Sequence, residues 1–390
     1  MNRRDFFVFS GGLGAAMLAP RLSFAEQRYS YQNLLILVEL KGGNDGLNTV
    51  VPYSNSLYYS LRPHLAIKRE EVLQIDQEVG LHPALEPLMD IWRNKELAIV
   101  QGLGYPQPNL SHFRSIEIWE TASKSDQYLH QGWLTRAFQW RPTPKNFSAD
   151  GVVIGSQDLG PLDGGSRAIA LNNTEQFLSS ARLATPAQAG GNSTLGHILK
   201  VEADIVKAAD GLRPQQQIEF KTQFPAGPFG EVVKSAAHVV ANGEQTGKYV
   251  AALRLTLNGF DTHQNQAGTQ ANLLKQLAEG LTALRSALKE LNRWDSSLIM
   301  TYAEFGRRPK ENLSNGTDHG TAAPHFVMGG RVKGGLLSKM PDLAQLDGGG
   351  NLQYTTDFRS LYATALHKWW GVDPAEILGD SFPKLDLIRT

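Results

Sequence analysis

Four short, glycine-flanked segments carry the side chains able to do chemistry. They are residues 41–48 (KGGNDGLN), 109–113 (NLSHF), 259–263 (GFDTH) and 316–325 (GTDHGTAAPH). Each offers a carboxylate, an imidazole or a hydroxyl beside residues that let the backbone turn tightly. Asp45 is a candidate cation ligand, with a turn or helix-capping aspartate as the plain alternative. Asp261 and His263 lie two residues apart, so an extended segment points both the same way. Asp318, His319 and His325 form the densest cluster, although His325 opens a short apolar run and also reads as a core histidine. Mixed oxygen and imidazole donors suit zinc or manganese first, with magnesium or calcium as harder alternatives. The set is large enough for one or two divalent cations, and a pair would clamp the attacking and leaving oxygens of an in-line displacement.

Ser111 and His112 follow a turn-prone approach and precede a helical pattern over 113–121. Ser111 there is either an N-cap or a nucleophile; an anion is welcome at such a helix start. His112 reads as an anion ligand or a proton donor. Glu304 and Arg307 end an apolar run. Glu304 is a ligand or the partner of one, and Arg307 is an anion clamp or half of a surface salt bridge.

These residues need a frame. Near-continuous apolar runs at 33–40, 97–103, 250–257 and 297–302, with a shorter one at 326–328, predict strands buried on both faces. Helical patterns lie between them. The clearest covers 268–292, with Leu273, Leu277, Leu281, Leu284, Leu288 and Leu291 in one stripe. Others open at His82-Pro83 and run from Asp357 to Trp370. The alternation predicts an α/β three-layer sandwich with a mostly parallel central sheet, whose ligands gather beyond the carboxyl ends of the strands. Residues 140–235, rich in Gly, Pro, Gln, Ser and Ala, read as an inserted cap region with helical patterns near 195–209 and 229–242.

Composition excludes several classes. The 390 residues carry 38 basic and 38 acidic side chains, which removes the electrostatic case for nucleic acid. Cysteine is absent, so thiolate nucleophiles and zinc–thiolate sites are excluded. No Gly-Lys-Ser/Thr follows the glycine pair, and no Gly-x-Ser-x-Gly elbow is present. Arg3-Arg4-Asp5-Phe6-Phe7, a weakly apolar stretch and Ser23-Phe24-Ala25 read as a twin-arginine signal peptide over 1–25. Its apolar part is too short and glycine-rich for a stable membrane anchor. The expected location is therefore periplasmic or secreted, with the twin-arginine export machinery as a partner.

In combination, Arg3-Arg4, the segment 42–48, Arg62-Pro63, 81–84 (LHPA), 111–113, 259–263, 304–307 (EFGR) and 316–320 resemble the domain of unknown function 1501 family. The resemblance runs through the mature chain over 26–390, including 361–387. That family is grouped with the alkaline phosphatase and sulfatase superfamily. The resemblance implies an alkaline phosphatase-like fold with metals at the strand ends. By it, Asp45 stands at the first-strand metal aspartate and Ser111 at the nucleophile. Asp261 with His263 and Asp318 with His319 match aspartate–histidine pairs, and His325 matches the remaining histidine. The spacing of Asp261 and His263 is tighter than in the phosphatase pair. Ser111 is followed by His112 rather than by the proline and arginine of a sulfatase signature.

The expected function is an exported, metal-dependent hydrolase of phosphate or sulfate esters acting on a small anionic ester. Ser111 attacks, and Arg307 and His112 steady the anion. The alternative is a non-catalytic exported binding or assembly protein that keeps the same fold.

Overall fold

The computed structural model describes residues 30–171 and 218–389. The expected signal segment at 1–25 and the helical pattern at 195–209 lie outside the described residues. Strands in chain order begin with β1 (Leu34–Lys41), β2 (Val50–Val51), β3 (Leu73–Gln74), β4 (Gly80–Leu81) and β5 (Leu97–Gly104). They continue with β6 (Phe147–Ile154), β7 (Ala168–Leu171), β8 (Tyr249–Asn258), β9 (Ser297–Tyr302) and β10 (Arg307–Glu311). The last are β11 (Thr317–His319), β12 (Ala323–Met328), β13 (Gly335–Leu337) and β14 (Thr356–Asp357).

One large sheet has the order β13-β5-β12-β9-β1-β8-β6-β7, with β14 also paired to β5. Its pairings are parallel except those of β12, which runs antiparallel to both β5 and β9. Two reversals restore direction, so β5 points the same way as β9. The carboxyl ends of β1, β5, β8 and β9 therefore share one rim. The candidate segments 41–48, 109–113 and 259–263 follow β1, β5 and β8, and 316–325 spans β11 and enters β12.

Strand alternation explains the layers. Leu34, Ile36, Val38 and Leu40 of β1 enter one core with the helices Pro228–Thr246 and Gln266–Glu290. Leu35 and Leu37 enter the other core with the helices His112–Thr121, Trp133–Trp140 and Arg359–Thr364. Helices on both faces of a sheet make the three-layer α/β arrangement that continuous apolar strands predict. The helix Arg359–Thr364 continues through a π-type turn over Ala365–Trp370, and the Trp370 indole donates to the Asn33 carbonyl at 2.8 Å.

The described part of 140–235 departs from the cap expectation. β6 and β7 are strands of the main sheet, and Pro228–Thr246 covers one of its faces. The physical reason lies in β6. Ala149, Val152 and Ile154 enter one core while Phe147 and Val153 enter the other. Glycine and polar residues around this strand dilute the apolar run that would have marked it.

Candidate metal centre

β1 delivers the chain to the rim, and two glycines turn it. Gly42 and Gly43 have φ of +114° and +79°. A Cβ on Gly42 would stand 2.4 Å from the Asp261 backbone nitrogen, so both conformation and space require glycine. The amides of Gly42 and Gly43 donate to the Glu304 carboxylate at 3.0–3.1 Å. The same carboxylate lies 2.8 Å from His112 Nδ1. Glu304 is thus a buried anchor joining the ends of β1 and β9 to the start of the helix His112–Thr121. It is the ligand partner, not the ligand, of the two roles its position offered.

His112, Asp261 and His319 come together, their ligand atoms all within 4.8 Å of one another. His112 Nε2 is 3.4 Å from Asp261 Oδ2, and His319 Nε2 is 3.3 Å from Asp261 Oδ1. His263 joins them, its Nε2 at 2.9 Å from His319 Nε2 and 3.1 Å from Asp261 Oδ1. Asp318 Oδ1 stands 3.5 Å from His263 Nδ1 and accepts from the Asn312 amide at 3.1 Å. Phe305, buried, backs the His112 and His319 rings at centroid distances of 4.9 and 4.4 Å.

Tautomers follow from the outer contacts. His112 Nδ1 faces a carboxylate, and His319 Nδ1 faces the Leu110 carbonyl at 2.8 Å. Neither acceptor can donate, so both Nδ1 atoms carry the proton and both Nε2 lone pairs point inward. These lone pairs and the Asp261 carboxylate are the donors a cation would take, and His263 Nε2 lies within hydrogen-bond distance of His319 Nε2. The donor set of imidazole and carboxylate fits zinc or manganese, and the outer hydrogen bonds are those that orient metal-binding histidines.

The electrostatics agree. Partial burial would raise the Asp261 pKa, but the hydrogen bond and charge of Arg307 outweigh it and hold the carboxyl below its usual range. The Asn312 hydrogen bond, with His263 beside it, lowers Asp318. Burial pushes His319 down and keeps its imidazole neutral, as a ligand must be.

Four expected roles change, and the first is His112, which stands among the candidate cation ligands and not as the anion's partner. Asp45 is fully buried and bound by Arg62 through Nη1 at 2.5 Å and Nη2 at 2.9 Å. Gln266 and the Leu47 amide also donate to its carboxylate, which leaves a structural ion pair and N-cap in place of a cation ligand. His325 lies inside β12, wholly enclosed against Trp119, and burial pushes its pKa down to about 3. Its partner is Thr301 Oγ1 at 3.3 Å, so it is a core histidine. Arg307 is buried, and its donors reach the carbonyls of Gly42, Gly43, Phe260 and Thr317 as well as Asp261 Oδ1 at 2.6 Å. That guanidinium orients Asp261 and has no face left for an anion. A Cβ on Gly320 would stand 2.4 Å from the Arg307 carbonyl carbon, so this glycine admits the close passage of that backbone.

Ser111 is exposed at the N-terminus of the helix His112–Thr121, and its hydroxyl makes no capping bond. It adjoins both His112 and Leu110, whose carbonyl holds His319. Sequence reasoning missed the Leu110 carbonyl and Phe305, for which side-chain chemistry gives no signal.

Fold and site define a mixed α/β protein with a mostly parallel sheet and a histidine–aspartate cluster at its carboxyl rim. The chain belongs to the family described as protein of unknown function (DUF1501), which matches residues 79–381. None of the curated proteins matches it in sequence. Among solved structures, it is similar to the lipoteichoic acid synthase LtaP from Listeria monocytogenes, at 10% identity and TM-score 0.43 over 90% of this chain and 76% of that one. It is also similar to a protein in the alkaline phosphatase superfamily from Vibrio parahaemolyticus, at 10% identity and TM-score 0.42 over 91% and 70%. A third is the PsFucS1 sulfatase from Pseudoalteromonas sp., at 11% identity and TM-score 0.41 over 94% and 72%. Among the described residues, no helix is long and apolar enough to cross a membrane.

Proposed function

We propose that the protein is an exported, metal-dependent hydrolase of phosphate or sulfate esters with Ser111 as its nucleophile. The observation that carries this reading is the convergence of His112, Asp261 and His319 within 4.8 Å, beside an exposed serine at a helix N-terminus. His112, Asp261 and His319 hold the cation, with His263 and Asp318 alongside for a second. Zinc or manganese suits these donors best. Bound there, the cation acts as a Lewis acid on the ester oxygens and favours the ionised serine.

The chain's own residues do the rest. Glu304 and the Leu110 carbonyl keep His112 and His319 in the tautomers whose Nε2 lone pairs face inward. Arg307 keeps Asp261 ionised. The Ser111 hydroxyl gives up its proton to solvent and its Oγ forms a bond to phosphorus or sulfur; the leaving oxygen departs with the bonding pair and takes a proton from water; a second water then hydrolyses the phosphoseryl or sulfoseryl ester, which restores the serine hydroxyl and frees the inorganic anion. Amides at the helix start favour the negative charge that gathers beside Ser111. Arg3-Arg4 and the small residues ending at Ala25 direct the folded chain through the twin-arginine route to the periplasm or beyond.

The test is elemental analysis of the purified chain with assays on aryl phosphate and aryl sulfate. Ser111→Ala is expected to retain the ion and lose at least roughly a thousandfold in kcat. Turnover unaffected by that substitution, or a chain that takes up no ion, sinks the reading. Bound ion without turnover of either ester favours a binding role.

A further inference from the structure

We infer that Lys41 contacts the anionic group of the ester, in the role the sequence offered to Arg307. The inference rests on the hydrolase reading above. Asp261, Asp318 and Glu304 place three carboxylates at the rim, and the Arg307 guanidinium among them is occupied by four carbonyls and Asp261. An entering oxyanion needs positive charge beyond that of the cation.

Lys41 closes β1 at the centre of the sheet. Its carbonyl accepts from the Phe260 amide at 3.0 Å, one residue before Asp261. The next two residues donate to Glu304, which holds His112. Alternation puts its side chain on the same face as Glu39. Glu39 shares the Arg254 guanidinium with Glu120 of the helix His112–Thr121, so this is the face on which the Ser111 helix packs. The Lys41 side chain is exposed, and its ammonium forms no ion pair with a described residue. Arg308, the next cation along the rim, already acts on Asp318 and Asp347.

Lys41 also offsets the buried Glu39 and Glu120 carboxyls beneath it, so the test must separate anion contact from a counter-charge role. The zinc-loaded full chain is compared as wild type, Lys41→Ala and Lys41→Arg. The readouts are KM and kcat on aryl phosphate, calorimetric Kd for inorganic phosphate, zinc content and Tm. Lys41→Ala is expected to raise KM and the phosphate Kd roughly tenfold with kcat and zinc content within about twofold, and Lys41→Arg to recover most of the loss. Unchanged KM and Kd, with or without a lower Tm, overturn the inference while active wild type keeps the hydrolase reading intact. Wild type that neither binds phosphate nor turns over an ester overturns both.

Discussion

Glu304 lies 2.8 Å from His112 Nδ1 while accepting the amides of Gly42 and Gly43, so one buried carboxylate joins chain segments 192 and 262 residues away. The contact decides which histidine nitrogen is left to bind a cation. Glu304→Gln keeps the shape but turns a donor toward donors. Zinc affinity, measured by chelator competition, is expected to weaken about 10–100-fold. An affinity within twofold of wild type would remove Glu304 from the assembly of the site.

Arg62 and Asp45 form a pair with both side chains fully buried. Arg62→Ala leaves that carboxylate enclosed without its partner and is expected to cost about 3–5 kcal/mol in urea unfolding. Zinc bound per folded chain should not change. Loss of zinc without loss of stability would instead return Asp45 to the ligand set.

His82 and His325 are kept neutral by burial, which pushes their pKa values down to about 4 and about 3. An unfolded imidazole titrates near ~6.5. Folded pKa values below the unfolded one mean stability that is complete above about pH 6.5 and lost as pH falls toward the folded values. At pH 5 each histidine is expected to remove roughly 2 kcal/mol. From pH 7 to pH 5 the wild-type urea midpoint should fall further than that of His325→Leu. Parallel curves would show that His325 takes no part.

The strands were legible because their residues face apolar layers on both sides. Runs such as 33–40 and 297–302 carry that signature in composition alone. The rim was legible too, since Asp261 and His263 follow the end of β8, and Asp318 and His319 of β11 meet them there. What distinguishes Asp45 from Asp261 is not visible in either segment. Both follow a buried strand and a glycine, and only the fold sets Arg62 against one and histidines against the other. Arg307 misled for the same reason, its guanidinium being held by carbonyls from three separate segments of the chain. A different signal stood in the sequence unread. Glu39 and Arg254 each interrupt an otherwise apolar strand, and the fold joins them at 2.9 Å beneath the rim, with Glu120 at 2.8 Å from the same guanidinium. Burial raises Glu120 to about 8 against the opposing charge of Arg254.

The two turn glycines after β1 carry a last consequence. Their amides find Glu304 only once β9 has taken its place beside β1, and His112 finds it only once β5 has delivered its helix. The native cluster draws on all three segments at once. Uptake of an ion would then act as a certificate that these distant segments have met.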